Sequence, residues 1–237
     1  MTQTKIPIIE IFRTIQGEGI VMGKPTVFVR TAGCDSSCQW CDTAYSWNGA
    51  AAVCSLEPEE VYDEVVKANP MCKHVTVSGG NPLLIGAPMG AFIDLLHYND
   101  IEVAVETQGT RSQPWLRKVN TVTISPKPPS SGMKHSWIAL QKVIGDCNFP
   151  SVNLKVVVFD DQDYAFAKEV HKRHPRIPFY LQVGNADVTT LHAEHHALAL
   201  LDKLKELAEK VVRDPDMQTA YVLPQLHVLL WSNATKR

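Results

Sequence analysis

Cys34, Cys38 and Cys41 fall within eight residues, spaced C-x3-C-x2-C in the segment GCDSSCQWCDTAYSW. Clustered thiolates select soft metals, and iron–sulfur clusters are held by cysteine thiolates, commonly four of them. Three thiolates would bind three irons of a four-iron cluster and leave the fourth open, as a catalytic zinc keeps an open position. An open iron can take a small chelating ligand and pass it an electron. Two rivals use the same residues. One is a four-cysteine zinc knot closed by Cys54, with Cys72 and Cys147 as buried thiols. The other is a ferredoxin-like electron carrier, which would need no large α/β domain.

The cysteines follow the β-branched run TVFVR (26–30), and five similar runs come after it: HVTVS (74–78), EVAVE (102–106), TVTIS (121–125), NLKVVVF (153–159) and PFYLQV (178–183). Such runs suit strands buried on both faces of a parallel sheet. Helical periodicity occupies 57–69, with Pro58 in the first turn, then 91–99, 161–174 and 192–212. The connection between Glu106 and Thr121 is too short and too interrupted by Pro and Gly for a full helix, so some helices should be shortened or replaced. Strand–helix alternation argues for one α/β domain over 1–237. Six parallel strands could form a partial barrel or an open doubly wound sheet, and periodicity does not separate the two. Either architecture puts the active site at the C-terminal ends of the strands. TAGC, SGGNP, ETQGT, SPKPP and GN all stand at such ends.

The 237 residues are 45% hydrophobic and 20% charged, with a net charge of −2. This is the composition of a soluble globular protein, without the basic excess of a large nucleic-acid footprint. The first residues have neither the apolar core nor the cleavage pattern of a signal peptide, and no apolar run approaches the roughly eighteen residues that span a bilayer. A cytoplasmic, reducing setting is expected, with no membrane partner and no nucleic acid. There, clustered cysteines bind metal or do chemistry more often than they form disulfides. The sequon Asn233-Ala234-Thr235 is then coincidental.

The cysteine spacing, with Trp40 before the last cysteine, resembles the signature of the radical S-adenosylmethionine superfamily, and SGGNP (78–82) resembles its GGE motif. Taken in order, TIQGEG, FVRTAGC, CDTAYSW, SGGNP, ETQGT, SPKPPSS and LPQLHVLLW resemble the 7-carboxy-7-deazaguanine synthase family nearly end to end. The resemblance implies a modified partial (β/α)6 barrel. It implies a 4Fe-4S cluster on Cys34, Cys38 and Cys41, S-adenosylmethionine on the open iron, and magnesium. It also implies conversion of 6-carboxy-5,6,7,8-tetrahydropterin to 7-carboxy-7-deazaguanine with loss of ammonia, a step toward queuosine. The reacting species would be a 5′-deoxyadenosyl radical from the cofactor, so no side chain is assigned as the catalyst. An external electron donor such as flavodoxin and a homodimer are further expectations.

By the same resemblance Thr43 contacts magnesium, an ion that keeps few protein ligands. Trp40, Asp42, Ser78, Gly80, Glu106, Ser125, Pro126 and Lys127 fall to the cofactor. Ile15, Gln16, Gly17, Glu18, Arg30 and Ser78 fall to the pterin, with Gln182, Gln225 and His227 as further candidates. The chemistry is coherent: Gln16 and Glu18 can pair with an aminopyrimidinone edge, Gly17 permits close backbone approach, and Arg30 suits a carboxylate. Without the resemblance, QGEG would be read as a turn and Arg30 as an ordinary ion-pair partner.

Two departures from the pattern stand out. Asn81 replaces the Glu of GGE, which leaves the backbone contacts but puts a side-chain contribution in doubt. The chain also continues past His227 through VLLWSNATKR, so contacts made by a chain terminus in other synthases do not transfer. The run His192, His195, His196 reads as a solvated helix face, and Tyr45 and Trp47 as loop packing. Two other function classes stay open: an activase that makes a glycyl radical on a partner, and a zinc-stabilised binding module.

Overall fold

Valine and isoleucine runs with both faces buried form the centre of a nine-stranded, mostly parallel sheet. The computed structural model describes residues 4–190 and 193–234. The strands are β1 (Ile6–Ile15), β2 (Pro25–Thr31), β3 (Cys54–Leu56), β4 (His74–Gly79), β5 (Glu102–Thr107), β6 (Thr121–Ile124), β7 (Val152–Val158), β8 (Phe179–Val183) and β9 (Ala220–Leu223). Their order is β3-β1-β2-β4-β5-β6-β7-β8-β9. β1 runs antiparallel to both β2 and β3, and every other neighbouring pair is parallel. The six expected strands are all present and consecutive. The three additions, β1, β3 and β9, extend the sheet at its two ends.

The helices are α1 (Pro58–Ala68), α2 (Ala87–Tyr98), α3 (Trp137–Asp146), α4 (Asp161–Arg173), α5 (Ala193–Arg213) and α6 (Leu226–Trp231). Pro58 opens α1 inside a capping box formed by Glu57 and Glu60. The expected helix at 91–99 starts earlier, at Ala87, because Pro88 suits a first turn. α3 was not anticipated; Ser136 caps it by accepting from Ala139 N. The β5–β6 connection carries only a 3-10 turn, Pro114–Lys118, as its length required. His192, where the fourth expected helix begins, lies outside the described residues, as do Thr235 of the sequon and the last residues of the C-terminal extension. Among the described residues no helix is long and apolar enough to cross a membrane.

The sheet curls into a partial barrel. β9 is one edge strand and β1 is next to the other edge. Yet Leu226, just after β9, donates its N–H to the carbonyl of Gly17, just after β1, at 2.9 Å. Only a curved sheet brings those ends together. Because β1 is antiparallel, its end lies beside Pro25, at the start of β2. From there the 16–24 turn folds into the hollow of the barrel, where Gly19 comes alongside Thr123 of β6 and Asn153 of β7.

Candidate active site

The cleft opens at the C-terminal ends of the parallel strands. Its wall joins the cysteine loop after β2, the Gly79-Gly80 turn after β4, Glu106 to Gln108 at the end of β5, and Ser125 and Lys127 after β6. Lys155 and Val157 of β7, Ile15 to Glu18 at the end of β1, Arg30 of β2, and Gln225 and His227 at the start of α6 also line it.

The three thiols differ in setting: Cys38 is buried, while Cys34 and Cys41 are partly exposed toward the cleft. N–H groups are aimed at two of the sulfurs. Ser36 N and Gln108 Nε2 each stand 3.4 Å from Cys34 Sγ, and Trp47 Nε1 stands 3.5 Å from Cys41 Sγ. Donors so placed suit thiolates, which accept. A single tetrahedral zinc, with Zn–S near 2.3 Å, would draw its sulfurs to within about 3.8 Å of one another. Among the described residues the group that gathers three ligating atoms within 4.8 Å is Glu18, Asp42 and His227, not the thiols. Cys54 sits exposed on β3, outside the cleft wall. The loop therefore fits a three-cysteine cluster better than a zinc knot.

Backbone contacts fix this loop against the glycine turn. Gly80 N donates to Thr31 O at 3.3 Å and Asn81 N to Gly33 O at 2.8 Å. A Cβ on Gly80 would lie 2.0 Å from the Gly33 carbonyl oxygen, so the close approach depends on glycine. Trp40 is held on two sides, donating Nε1 to Ser130 Oγ at 3.0 Å and packing 5.0 Å from the Phe159 ring. Lys127 lies over the Trp40 ring at 5.5 Å. Thr43 Oγ1 is 3.7 Å from Cys41 Sγ on the cleft wall.

The cleft wall also carries a charged group. Glu18 accepts from Lys155 Nζ and, at 2.7 Å, from Gln225 Nε2. Burial alone would raise the Glu18 carboxyl. The Lys155 ammonium, His227 and the two hydrogen bonds outweigh it and hold the group well below the usual carboxylate range. Burial would likewise lower Lys155, but Glu18 and Glu106 keep it above the usual lysine value. The Lys155 charge opposes a metal at Glu18, Asp42 and His227, so this trio suits recognition of an organic ligand. Gly17 is pinned beneath His227: a Cβ there would stand 2.2 Å from Nδ1. Glu106 accepts from Gln16 Nε2 and Ser78 Oγ, both at 3.1 Å. Arg30 gives Nε to Glu10 at 2.6 Å, and Tyr45 OH donates to the same oxygen at 2.9 Å. Burial depresses the guanidinium less than Tyr45 and Glu10 raise it.

The Radical SAM superfamily model matches residues 28–127. The chain is 46% identical to 7-carboxy-7-deazaguanine synthase of Bacillus cereus over 234 residues, covering 97% of this chain and 98% of that one. It is 48% identical to the Bacillus subtilis synthase over 236 residues, covering 96% and 97%. The chain belongs to the 7-carboxy-7-deazaguanine synthase family. The crystal structure of QueE from Escherichia coli is similar in fold, with a TM-score of 0.66 at 22% identity, covering 94% of this chain and 95% of that one.

For a member of this synthase family, the placement of the expected residues is informative. Cys34, Cys38, Cys41, Trp40, Asp42, Thr43, Ser78, Gly80, Glu106, Ser125 and Lys127 all line the one cleft, as do Ile15, Gln16, Gly17, Glu18, Arg30, Gln225 and His227. Pro126 and Gln182 are not in its wall. Gln182 is wholly buried on β8 and donates Nε2 to Pro224 O at 3.2 Å. Arg30 proves to be both an ion-pair partner and a cleft residue. Asn81 does contribute its side chain, though structurally: it is wholly buried and donates to Asp35 Oδ1 at 2.9 Å.

Other expectations need correction. His196 is not solvated: it is buried on the inner face of α5, the face that also carries Leu200, Leu207 and Val211, and sits between Asn185 Oδ1 and Ser232 Oγ at 2.8 Å each. Trp47 lines the cleft rather than merely packing the loop. The extension past His227 forms α6 and supplies that Ser232 partner. Lys155, Gln108 and Asn185 were missed. For Lys155 a signal existed, because a lysine inside the valine run NLKVVVF cannot be buried without an acidic partner.

Proposed function

We propose that this cleft carries out the reaction named by its family, making 7-carboxy-7-deazaguanine from 6-carboxy-5,6,7,8-tetrahydropterin with release of ammonia. The observation that supports the reading is a single cleft lined both by a three-thiol loop and by the Glu18, Lys155 and Gln225 set. A 4Fe-4S cluster on Cys34, Cys38 and Cys41 with S-adenosylmethionine would supply one-electron chemistry and a 5′-deoxyadenosyl radical.

The chain's own residues bind and orient. Glu18, kept ionised by Lys155, accepts from the N–H edge of the aminopyrimidinone. Gln225 Oε1 is buried without a partner, an acceptor ready for a further ring donor. Arg30 meets the pterin carboxylate with the donors left free by Glu10. Trp40, braced by Phe159 and Ser130, walls the cofactor end together with Ser125 and Lys127. Glu106, shared by Gln16 and Ser78, spans the boundary between the two ligands. Thr43 offers a hydroxyl to magnesium, with the substrate providing further oxygens. A cytoplasmic setting, an external electron donor such as flavodoxin and a homodimer belong to the same reading.

The test offers anaerobically reconstituted protein two ligands: the carboxytetrahydropterin and the same ring without its carboxylate. The expected result is deazaguanine product and ammonia from the first and none from the second. No product from the first would refute the reading, and equal turnover of both would remove the role of Arg30.

A further inference from the structure

We propose that Gln108, oriented by Asp35, is a positioning residue that sets the reduction potential of the cluster through a hydrogen bond to the Cys34 sulfur. The inference rests on the three-cysteine cluster of the proposed function and goes beyond it. Gln108 belongs to the ETQGT motif, of which the ligand-binding account uses only Glu106.

The proton inventory fixes the direction of this contact. Leu83 N, which can only donate, gives its proton to Asn81 Oδ1 at 3.2 Å. The Asn81 amide is thereby oriented, so its Nδ2 must face Asp35 Oδ1, at 2.9 Å. Arg111 Nε occupies the other carboxylate oxygen at 3.3 Å. Asp35 is then an acceptor on both oxygens. Gln108 Nε2 stands 2.7 Å from Oδ1, so that contact requires its NH2 end. The same nitrogen lies 3.4 Å from Cys34 Sγ, and its second proton serves the sulfur. A flipped amide would set an oxygen against both a carboxylate and a thiolate. Gln108 is buried, at 6% exposure, so water does not compete for the contact.

Reduction adds negative charge to the cluster and its sulfurs. A donor on a ligating sulfur stabilises the reduced state and raises the potential. Asp35 and Asn81 act through Gln108, tying the cysteine loop to the ends of β4 and β5.

The experiment is a potentiometric titration with dithionite, following the reduced-cluster electron paramagnetic resonance signal of the reconstituted full-length protein. Gln108→Met keeps the shape and removes the donor. We expect reduction to become about tenfold less favourable at fixed potential, a fall of about 59 mV for one electron. Only cluster-loaded molecules give the signal, so a merely structural role would lower its amplitude and leave the midpoint unchanged. An unchanged midpoint overturns the proposal. If Gln108→Met holds no cluster, Gln108→Leu, which also lacks the donor and leaves every nearby charge in place, must lower the midpoint instead. An unchanged midpoint there, or loss of the cluster in both variants, also overturns it. A wild-type protein without the cluster signal would be a failure of the functional reading itself.

Discussion

Lys155 and Glu18 form a buried ion pair at the floor of the cleft, and each is costly without the other. Lys155→Met should destabilise the protein by about 3 kcal/mol in urea unfolding, because an uncompensated carboxylate remains. Adding Glu18→Gln should recover part of the loss, and a double-mutant cycle with no coupling would contradict the pairing. The pH dependence follows from the two shifts. Glu18 is depressed, so its contribution is present above the ordinary carboxylate range and is lost as pH falls through the folded value. Lys155 is raised, so its share holds below the ordinary lysine range and is lost as pH climbs through its folded value. Near neutrality the pair adds no slope. At this scale the chemistry-bearing residues were legible where a motif carried them: the cysteines, Thr43, Glu18 and His227 all reach the cleft. Gln108 and Asn185 stand in the ETQGT and GN motifs, yet their roles were not legible, because what a buried amide contacts is decided by partners from other elements.

Two contacts between elements carry further expectations. His74 opens β4 and shares a buried polar contact with Thr26 of β2, at 2.9 Å. Burial, and then Lys24, lower its pKa from 6.5 to about 4. The unfolded chain therefore binds a proton in that window that the native state refuses. Stability should fall as pH drops from 6.5 toward about 4, with a slope of up to about 1.4 kcal/mol per pH unit from this group. Denaturant melts of wild type and His74→Gln across the window would expose it, and identical slopes would contradict it. Gly80 governs how closely the glycine turn meets the cysteine loop. Gly80→Ala should push the Gly33 carbonyl away and lower iron content after reconstitution; full loading would mean that the loop can give way. The six central strands could be read in advance because burial on both faces leaves a β-branched run in the chain. β1 was overlooked because it mixes Glu10, Arg13 and Thr14 with isoleucines, seven of its ten residues facing neither core nor solvent fully. β9 and β3 are four and three residues long, too short to establish a period. The curl of the sheet was undetermined by periodicity, since it depends on the residues after β1 meeting those after β9.

At the scale of the whole molecule, the fold brings a loop from each parallel strand to one rim and feeds the QGEG turn up from the other end. That inverted approach explains why a motif after an antiparallel strand shares a cleft with motifs that follow parallel ones. It also brings the thiol loop and the Glu18–Lys155 pair into one cleft, with Glu106 in the same wall. The most direct measurement of this account compares wild type with Cys38→Ala after anaerobic reconstitution with iron and sulfide. Both are incubated with the carboxytetrahydropterin, S-adenosylmethionine, magnesium and reductant, and the deazaguanine product is quantified. The wild-type protein should be brown and make product, and the variant should have lost the intact cluster and make none. A colourless wild-type protein holding one tightly bound zinc, or product from Cys38→Ala equal to wild type, would contradict it.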